Sequence, residues 1–101
     1  MLDLSKIEGF DWDAGNERKS VDKHSVSQSE AEQVFLNQPL LLLMDSKHSG
    51  DELRWHALGV THLGRQLHIA LTIRAAGRKL RVISARDMSR KERDGYEKYG
   101  H

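Results

Sequence analysis

The stretch from Leu67 to Arg74 constrains the fold most, because its residues alternate in polarity with the period of a β-strand. The two alternating sets are Leu67, Ile69, Leu71 and Ile73, and His68, Ala70, Thr72 and Arg74. A period of two is typical of a strand that is buried on one face. Turn sequences bound the stretch at His62–Arg65 and at Ala75–Arg78. The pattern therefore predicts the shared strand of two consecutive hairpins.

Three further segments complete a predicted meander of about four strands. Leu40–Met44 is a continuous apolar run, as expected for a strand buried on both faces. Arg54–Val60 precedes the first hairpin turn, and Leu80–Ala85 follows the second. Consecutive strands joined by short turns indicate an antiparallel sheet.

Helix signals lie on either side of these strands. After a short extended entry at Phe10–Asp13, Asp13 is a candidate N-cap for a helix that runs towards His24. Ser27–Glu30 is a capping-box pattern that opens a second helix, which ends before Pro39. Ser89–Glu92 is a second capping box, and it opens a terminal helix that extends to about Tyr99. We therefore predict one α+β domain over residues 1–101, with a small antiparallel sheet, two N-terminal helices and a C-terminal helix.

Composition excludes several classes of protein. The 101 residues include no cysteine, which rules out disulfides and thiolate metal sites. The N-terminal segment lacks an apolar core typical of signal peptides, and the longest apolar run is far below the roughly 20 residues that span a bilayer. We expect a cytoplasmic protein that does not contact a membrane.

The formal net charge of +1 conceals a strong asymmetry. Residues 1–52 carry five bases and eleven acids, a balance of −6, whereas residues 53–101 carry eleven bases and four acids, a balance of +7. Eight of the eleven bases are arginine, which suits bidentate contacts to phosphate. A polyanionic partner is one interpretation. The alternative is that the two halves neutralise each other inside one domain.

The six histidines do not form a recognisable metal motif. None of them forms an i, i+4 pair on a predicted helix, and His-x-Glu-x-x-His is absent, so we predict no metal site and no cofactor. His56 and His62 could meet His68 across a hairpin, but only in a register that the sequence does not specify.

Histidine and arginine together suit metal-independent RNA cleavage. That reaction needs a base for the 2′-hydroxyl, an acid for the leaving 5′-oxygen and cations beside the phosphate. An imidazole, with an ordinary pKa near ~6.5, serves as acid or base at neutral pH. The chain offers His24 beside Lys23, His48 in a polar loop, and three arginines near strand ends, namely Arg54, Arg74 and Arg86. The alternative is that Lys23 and His24 only complement a helix dipole, and that the arginines are ordinary surface residues.

Several short motifs, taken in order, resemble the BrnT family of bacterial type II toxins. They are Phe10-Asp11-Trp12-Asp13, Lys23-His24-x-Val26, Glu30-Ala31-x-x-Val34-Phe35-x-x-x-Pro39-Leu40, Asp45-x-x-His48, Arg54-x-x-x-x-Gly59, Ile83-Ser84-Ala85-Arg86 and Arg90-x-Glu92-x-x-x-Tyr96. The resemblance covers the chain from Phe10 to about Tyr99. It implies a RelE-like endoribonuclease that halts translation, with RNA as substrate and a DNA-binding BrnA-like antitoxin as partner. Operator DNA would be reached only through that antitoxin.

The resemblance also implies which residues form the site. Lys23, His24, His48, Arg54 and Arg86 are the expected catalytic residues, and Arg74 and Tyr96 are expected to contact substrate. The chain departs from the family pattern at four positions, Asn16, Ser20, Ser25 and Gln28. An alternative function therefore stays open, namely a catalytically weak homologue that binds the antitoxin or RNA and acts as a corepressor.

Overall fold

A computed structural model of the chain describes residues 3–17, 24–50 and 52–99. In this described part, a 3₁₀ turn at Leu4–Lys6 precedes three α-helices and five β-strands. The strands are β1 (Gly9–Phe10), β2 (Leu41–Met44), β3 (Arg54–Val60), β4 (Gln66–Arg74) and β5 (Lys79–Asp87), and the helices are α1 (Ala14–Glu17), α2 (Gln28–Val34) and α3 (Arg90–Tyr99). No helix in the described part of the chain is long and apolar enough to cross a membrane.

The strands form one mixed sheet in the order β1-β5-β4-β3-β2. Strands β2 to β5 are the predicted antiparallel meander, and both predicted hairpin turns are present. The sheet differs from the prediction at one edge, where β1 pairs with β5 in parallel through Gly9 and Phe10. The short extended entry thus becomes a fifth strand, because it reaches the outer side of the last strand of the meander.

The helix caps are those that the sequence predicts. The Asp13 carboxylate accepts hydrogen bonds from the amides of Gly15 and Asn16, at 2.8 and 3.3 Å. Ser27 and Glu30 form a complete capping box at α2. Ser89 and Glu92 form the other at α3, with bonds of 2.8 and 3.2 Å. The predicted helix from Asp13 is described only over Ala14–Glu17, since residues 18–23 lie outside the described part.

One departure from the family pattern, Asn16, has a structural role. Its side chain is almost completely buried, and its amide donates to the carbonyls of Asp11 and Val82 at 3.0 and 2.9 Å. It also accepts a bond of 2.7 Å from the amide of Asp13. Asn16 therefore joins the N-terminal segment to β5, and lysine, which the family pattern has at this position, cannot accept the bond from the Asp13 amide.

The two faces of the sheet are covered differently. Helix α2 packs on one face, where Ala31 and Val34 join a core formed with residues such as Ile69 and Leu71. Helix α3 packs on the other face through Tyr96, which clusters with Leu58 and Met88. The second core is smaller, so α3 leaves part of this face of the sheet uncovered.

The predicted burial of Leu40–Met44 on both faces is wrong. Strand β2 is an edge strand, and the side chains of Leu43 and Met44 are 49% and 52% exposed. The apolar run indicates a strand correctly, but only the order of strands decides whether both of its faces are covered.

A close approach between α2 and β3 requires glycine at position 59. A Cβ atom there would lie 2.7 Å from Cγ1 of Val34, whereas a Cβ on Gly50 would meet nothing within 4 Å. We expect Gly59→Ala to lower the free energy of unfolding by about 1–3 kcal/mol through overpacking. Urea denaturation measures this, with Gly50→Ala as the matched control. Equal stability of the two variants would contradict the close contact.

Candidate active site

The strand register brings His56, His68 and Arg86 onto one face of the sheet. Residues directly opposite one another on neighbouring strands share a face. Leu58, His68 and Arg86 are opposite one another across three strands, and His56 lies two residues before Leu58. We call the face that carries these residues the histidine face. A shallow groove on it is lined by Leu43, His56, Leu58, His68, Arg86 and Glu92.

Asp45 contacts two imidazoles, that of His56, which lines the groove, and that of His48. Its carboxylate is 2.9 Å from Nδ1 of His48 and 2.9 Å from Nε2 of His56, and it also accepts a bond of 3.1 Å from the His48 amide. Burial opposes ionisation of Asp45, but the bonds from His48 and the nearby His56 outweigh it and hold its pKa below the usual value. A carboxylate can only accept, so Nδ1 of His48 carries the proton and Nε2 is its free nitrogen.

His68 lies beside His56 and is less exposed to solvent. The two ring centroids are 4.7 Å apart, and His68 is only 8% exposed. Burial lowers the pKa of His68 to about 4, helped by the charge of Arg86 and opposed by that of Glu92. Although Nε2 of His68 is 3.9 Å from the Glu92 carboxylate, the ring is therefore neutral at pH 7. His68 contributes a neutral polar ring to the groove.

Arg86 and Glu92 also line the groove. Both terminal nitrogens of Arg86 bond to the Glu92 carboxylate, at 2.8 and 3.0 Å. The Arg86 bond lowers the pKa of Glu92 to about 2, against the effect of burial and with help from the Ser89 amide. Glu92 is thus both a capping residue of α3 and the anchor of Arg86. The pair fixes the start of α3 beside the two histidines.

The neutral state of His68 makes stability depend on pH. The unfolded chain binds a proton at this residue below pH ~6.5, whereas the folded chain does so only near pH 4. We expect the free energy of unfolding to fall by roughly 3 kcal/mol as the pH drops across this window. In His68→Gln this loss should disappear. Urea denaturation at pH 4.5, 5.5, 6.5 and 7.5 measures it, and an equally steep fall in the variant would contradict the assignment.

The sequence matches a family described as "Ribonuclease toxin, BrnT, of type II toxin-antitoxin system", over residues 12–92. The chain belongs to the BrnT family. Its matched segment contains every residue of the groove, from Leu43 to Glu92. No curated protein matches the sequence closely enough to count as a relative. The family consists of ribonuclease toxins, so an antitoxin partner and an RNA target belong to its biology.

In this BrnT-family chain the expected catalytic residues do not all lie at one site. Arg86 lines the groove, whereas His48 is connected to it through Asp45, which also contacts the groove residue His56. Arg54 begins β3 on the histidine face, two residues before His56, and its side chain is exposed. His24 lies elsewhere, next to Arg65, whose guanidinium donates to the His24 carbonyl at 3.2 Å. Lys23 lies outside the described residues.

The two residues expected to contact substrate are engaged within the protein. Arg74 is paired with Glu52 at 2.9 Å and is half exposed. Tyr96 is 3% exposed, burial raises its pKa, and its hydroxyl donates to the Pro39 carbonyl. The position of Tyr96 therefore favours a role in packing α3 against the sheet.

The charge asymmetry partly resolves into internal pairs. Three arginines of the basic half bond to acids of the acidic half, in the pairs Arg65–Glu30 at 3.1 Å, Arg74–Glu52 at 2.9 Å and Arg81–Asp13 at 2.9 Å. The alternative of internal neutralisation is therefore correct for these residues. The histidine face therefore carries fewer unpaired basic groups than the charge balance of +7 for residues 53–101 suggests.

Reasoning from the sequence missed His56, His68 and Glu92 as members of this site. The sequence named His56 and His62 as candidate neighbours of His68 across a hairpin, but it did not specify the register that decides between them. The structure pairs His56 with His68, whereas His62 instead contacts Asn37 in the hairpin turn at 3.0 Å. Within residues 3–17, 24–50 and 52–99, no group of three or more His, Cys, Asp or Glu side chains is arranged to hold a metal ion.

Proposed function

We propose that this chain is a metal-independent endoribonuclease that cleaves RNA at the histidine face. The observation that carries the proposal is the Asp45–His48 pair beside a groove that Arg86 lines. An imidazole held by a carboxylate presents its other nitrogen as a base, by the same logic as in hydrolytic triads. The His48 side chain is 60% exposed, so its free nitrogen is accessible to RNA.

In the proposed reaction, Nε2 of His48 takes the proton of a 2′-hydroxyl. The 2′-oxygen then forms a bond to the adjacent phosphorus, and the bond from phosphorus to the 5′-oxygen breaks. The products are a 2′,3′-cyclic phosphate and a 5′-hydroxyl, whose proton comes from a second acid. The family resemblance suggests His24 for that acid, although His24 lies beside Arg65 and not in the groove, and it suggests Lys23 for holding the phosphate. Arg86 and Arg54 stabilise the charge that develops on the phosphate oxygens.

Asp45 and Glu92 are positioning residues in this proposal. Asp45 fixes the ring orientation of His48 and His56, and Glu92 fixes the guanidinium of Arg86. Tyr96 and Arg74 have supporting roles, in packing α3 and in the charge of the outer surface. Cleavage of RNA halts translation, and a BrnA-like antitoxin, which alone contacts operator DNA, neutralises the toxin in the cytoplasm.

A second candidate function is supported by the Arg86–Glu92 pair. Both terminal nitrogens of Arg86 are already bonded to a carboxylate, so a phosphate has to compete for them. If phosphate does not displace Glu92 from Arg86, the chain would cleave RNA poorly and would act as a corepressor that binds the antitoxin. The endoribonuclease is expected to cleave RNA, and the corepressor is not.

The test is incubation of the purified chain with total RNA in buffer that contains EDTA, with and without ribosomes. We expect cleavage in EDTA and products that end in a 2′,3′-cyclic phosphate. Cleavage that requires added Mg²⁺ would contradict the metal-independent reaction. Intact RNA under every condition would favour the corepressor.

A further inference from the structure

Strand β2 leaves half of its backbone groups unpaired at the edge of the sheet. The Asp45 amide donates to the Arg54 carbonyl at 2.9 Å, and antiparallel bonding repeats at every second residue. Leu41 and Leu43 therefore bond towards β3, while the amides and carbonyls of Leu42 and Met44 point outward. No described residue bonds to these outward groups. They form a ready template for another strand.

The side chains of this edge are apolar on both faces. Leu43 and Met44 point to opposite faces and are 49% and 52% exposed. Natural edge strands are usually protected by a charge or a proline, and Leu41–Met44 contains neither. An added strand would bury both side chains while it completes the backbone bonding.

The same edge borders the candidate active site. Leu43 lines the groove together with His56, and Asp45, which directly follows β2, holds His48. A strand added to β2 would therefore lie against the groove and beside His48. A strand at this edge would therefore hinder the approach of RNA to the groove.

Charge at the end of β2 indicates the chemistry of the occupant. Lys47 and Arg54 are exposed, and neither makes an ion pair with any described residue. His48 lies between them in the chain and is also exposed. A complementary segment would carry alternating apolar residues followed by acidic residues, which would take the place of RNA phosphates.

We propose that an extended acidic segment of the cognate antitoxin adds to β2 as a sixth strand and blocks the active site. The inference rests on the proposed function for the consequence of blocking, and on the type II family for the existence of the partner. Strand addition uses backbone bonds for affinity and the side chains of Leu43 and Met44 for specificity.

Amide exchange measured by NMR provides the test. The full chain is compared alone and in complex with the polypeptide that is encoded beside it, co-expressed and purified with it. We expect exchange at the amides of Leu42 and Met44 to slow at least tenfold in the complex. Those of Leu41 and Leu43, which already bond to β3, should change less. A complex that leaves the Leu42 and Met44 amides as fast as in the free chain overturns the proposal, and so does failure to form a complex.

Matched variants separate this edge from a general apolar surface. Leu43→Glu places a charge against the apolar residues of the added strand, and it should weaken binding at least tenfold. Leu63→Glu is the control, because Leu63 is 98% exposed in the hairpin turn between β3 and β4. Met44→Glu provides a second variant if Leu43→Glu alters the fold, as checked by thermal unfolding. Equal affinity of all three variants overturns the proposal. The two proposals can fail separately. If the partner protects the edge amides but the chain never cleaves RNA, the proposed enzyme is refuted and this interface is supported.

Discussion

Replacing His48 with alanine is expected to lower the rate constant for RNA cleavage about a thousandfold. The expectation follows from the Asp45–His48 pair, since a positioned acid or base contributes about 10²- to 10⁴-fold. The fold should be unaffected, because the His48 side chain is 60% exposed and lies in a turn after β2. The measurement is the initial rate of cleavage of a fluorescent RNA in EDTA.

His62→Ala is the matched control for this prediction. His62 is an exposed histidine in the turn between β3 and β4, and it has no place in the groove. Asp45→Asn extends the test, because an amide can donate to His48 and select the wrong tautomer. We expect it to reduce the rate nearly as much as His48→Ala. Cleavage that survives both substitutions would remove His48 from the mechanism.

Replacing Arg86 with alanine is expected to lower the rate of cleavage about a hundredfold to a thousandfold. Arg86 is the one arginine that lines the groove in the described part of the chain, and loss of a preorganised electrostatic contact has effects of this size. Arg86→Lys should recover only part of the rate, since lysine keeps the charge but loses the bidentate geometry. The same fluorescent RNA assay measures both variants.

Two further variants serve as controls. They separate the effect of Arg86 on the charge of the phosphate from its effect on the stability of the fold. Arg78→Ala removes an exposed arginine of the turn between β4 and β5, and it should leave the rate unchanged. Glu92→Gln keeps a residue suited to the capping box and releases the Arg86 guanidinium. If Glu92 positions Arg86, this variant should cleave more slowly than the parent chain, whereas a rate at least as high as that of the parent chain would show that Glu92 competes with phosphate. A rate in Arg86→Ala equal to that of Arg78→Ala would contradict a role for Arg86.

The elements of the fold were largely predictable because their signals are local. Caps at Asp13, Ser27 and Ser89 depend on side chains that bond within three residues of themselves. The alternation in β4 and the glycine-containing turns likewise act over short distances. The parallel pairing of β1 and the edge position of β2 were not predictable, since both depend on the order of strands in space.

The candidate site was predictable only in part. His48 and Arg86 came from residue type and family resemblance; the structure places Arg86 in the groove and joins His48 to the groove residue His56 through Asp45. His56 and His68 needed the register of β3 against β4, which is a contact between residues twelve positions apart. His24 belongs to a different neighbourhood, beside Arg65, so a list of suitable residue types does not by itself define a site.

The sequence alone determined the strand meander, the helix caps and the family of this protein, because periodicity, capping and motif order are properties of neighbouring residues. It also determined the charge of each half of the chain. Only the tertiary structure decided how that charge is used. Arg65, Arg74 and Arg81 are bonded to acids of the other half of the chain, whereas Arg86 is bonded to Glu92 and lines one groove with His56 and His68. The physical reason is that an electrostatic interaction depends on distance in space, and the register of the sheet sets that distance.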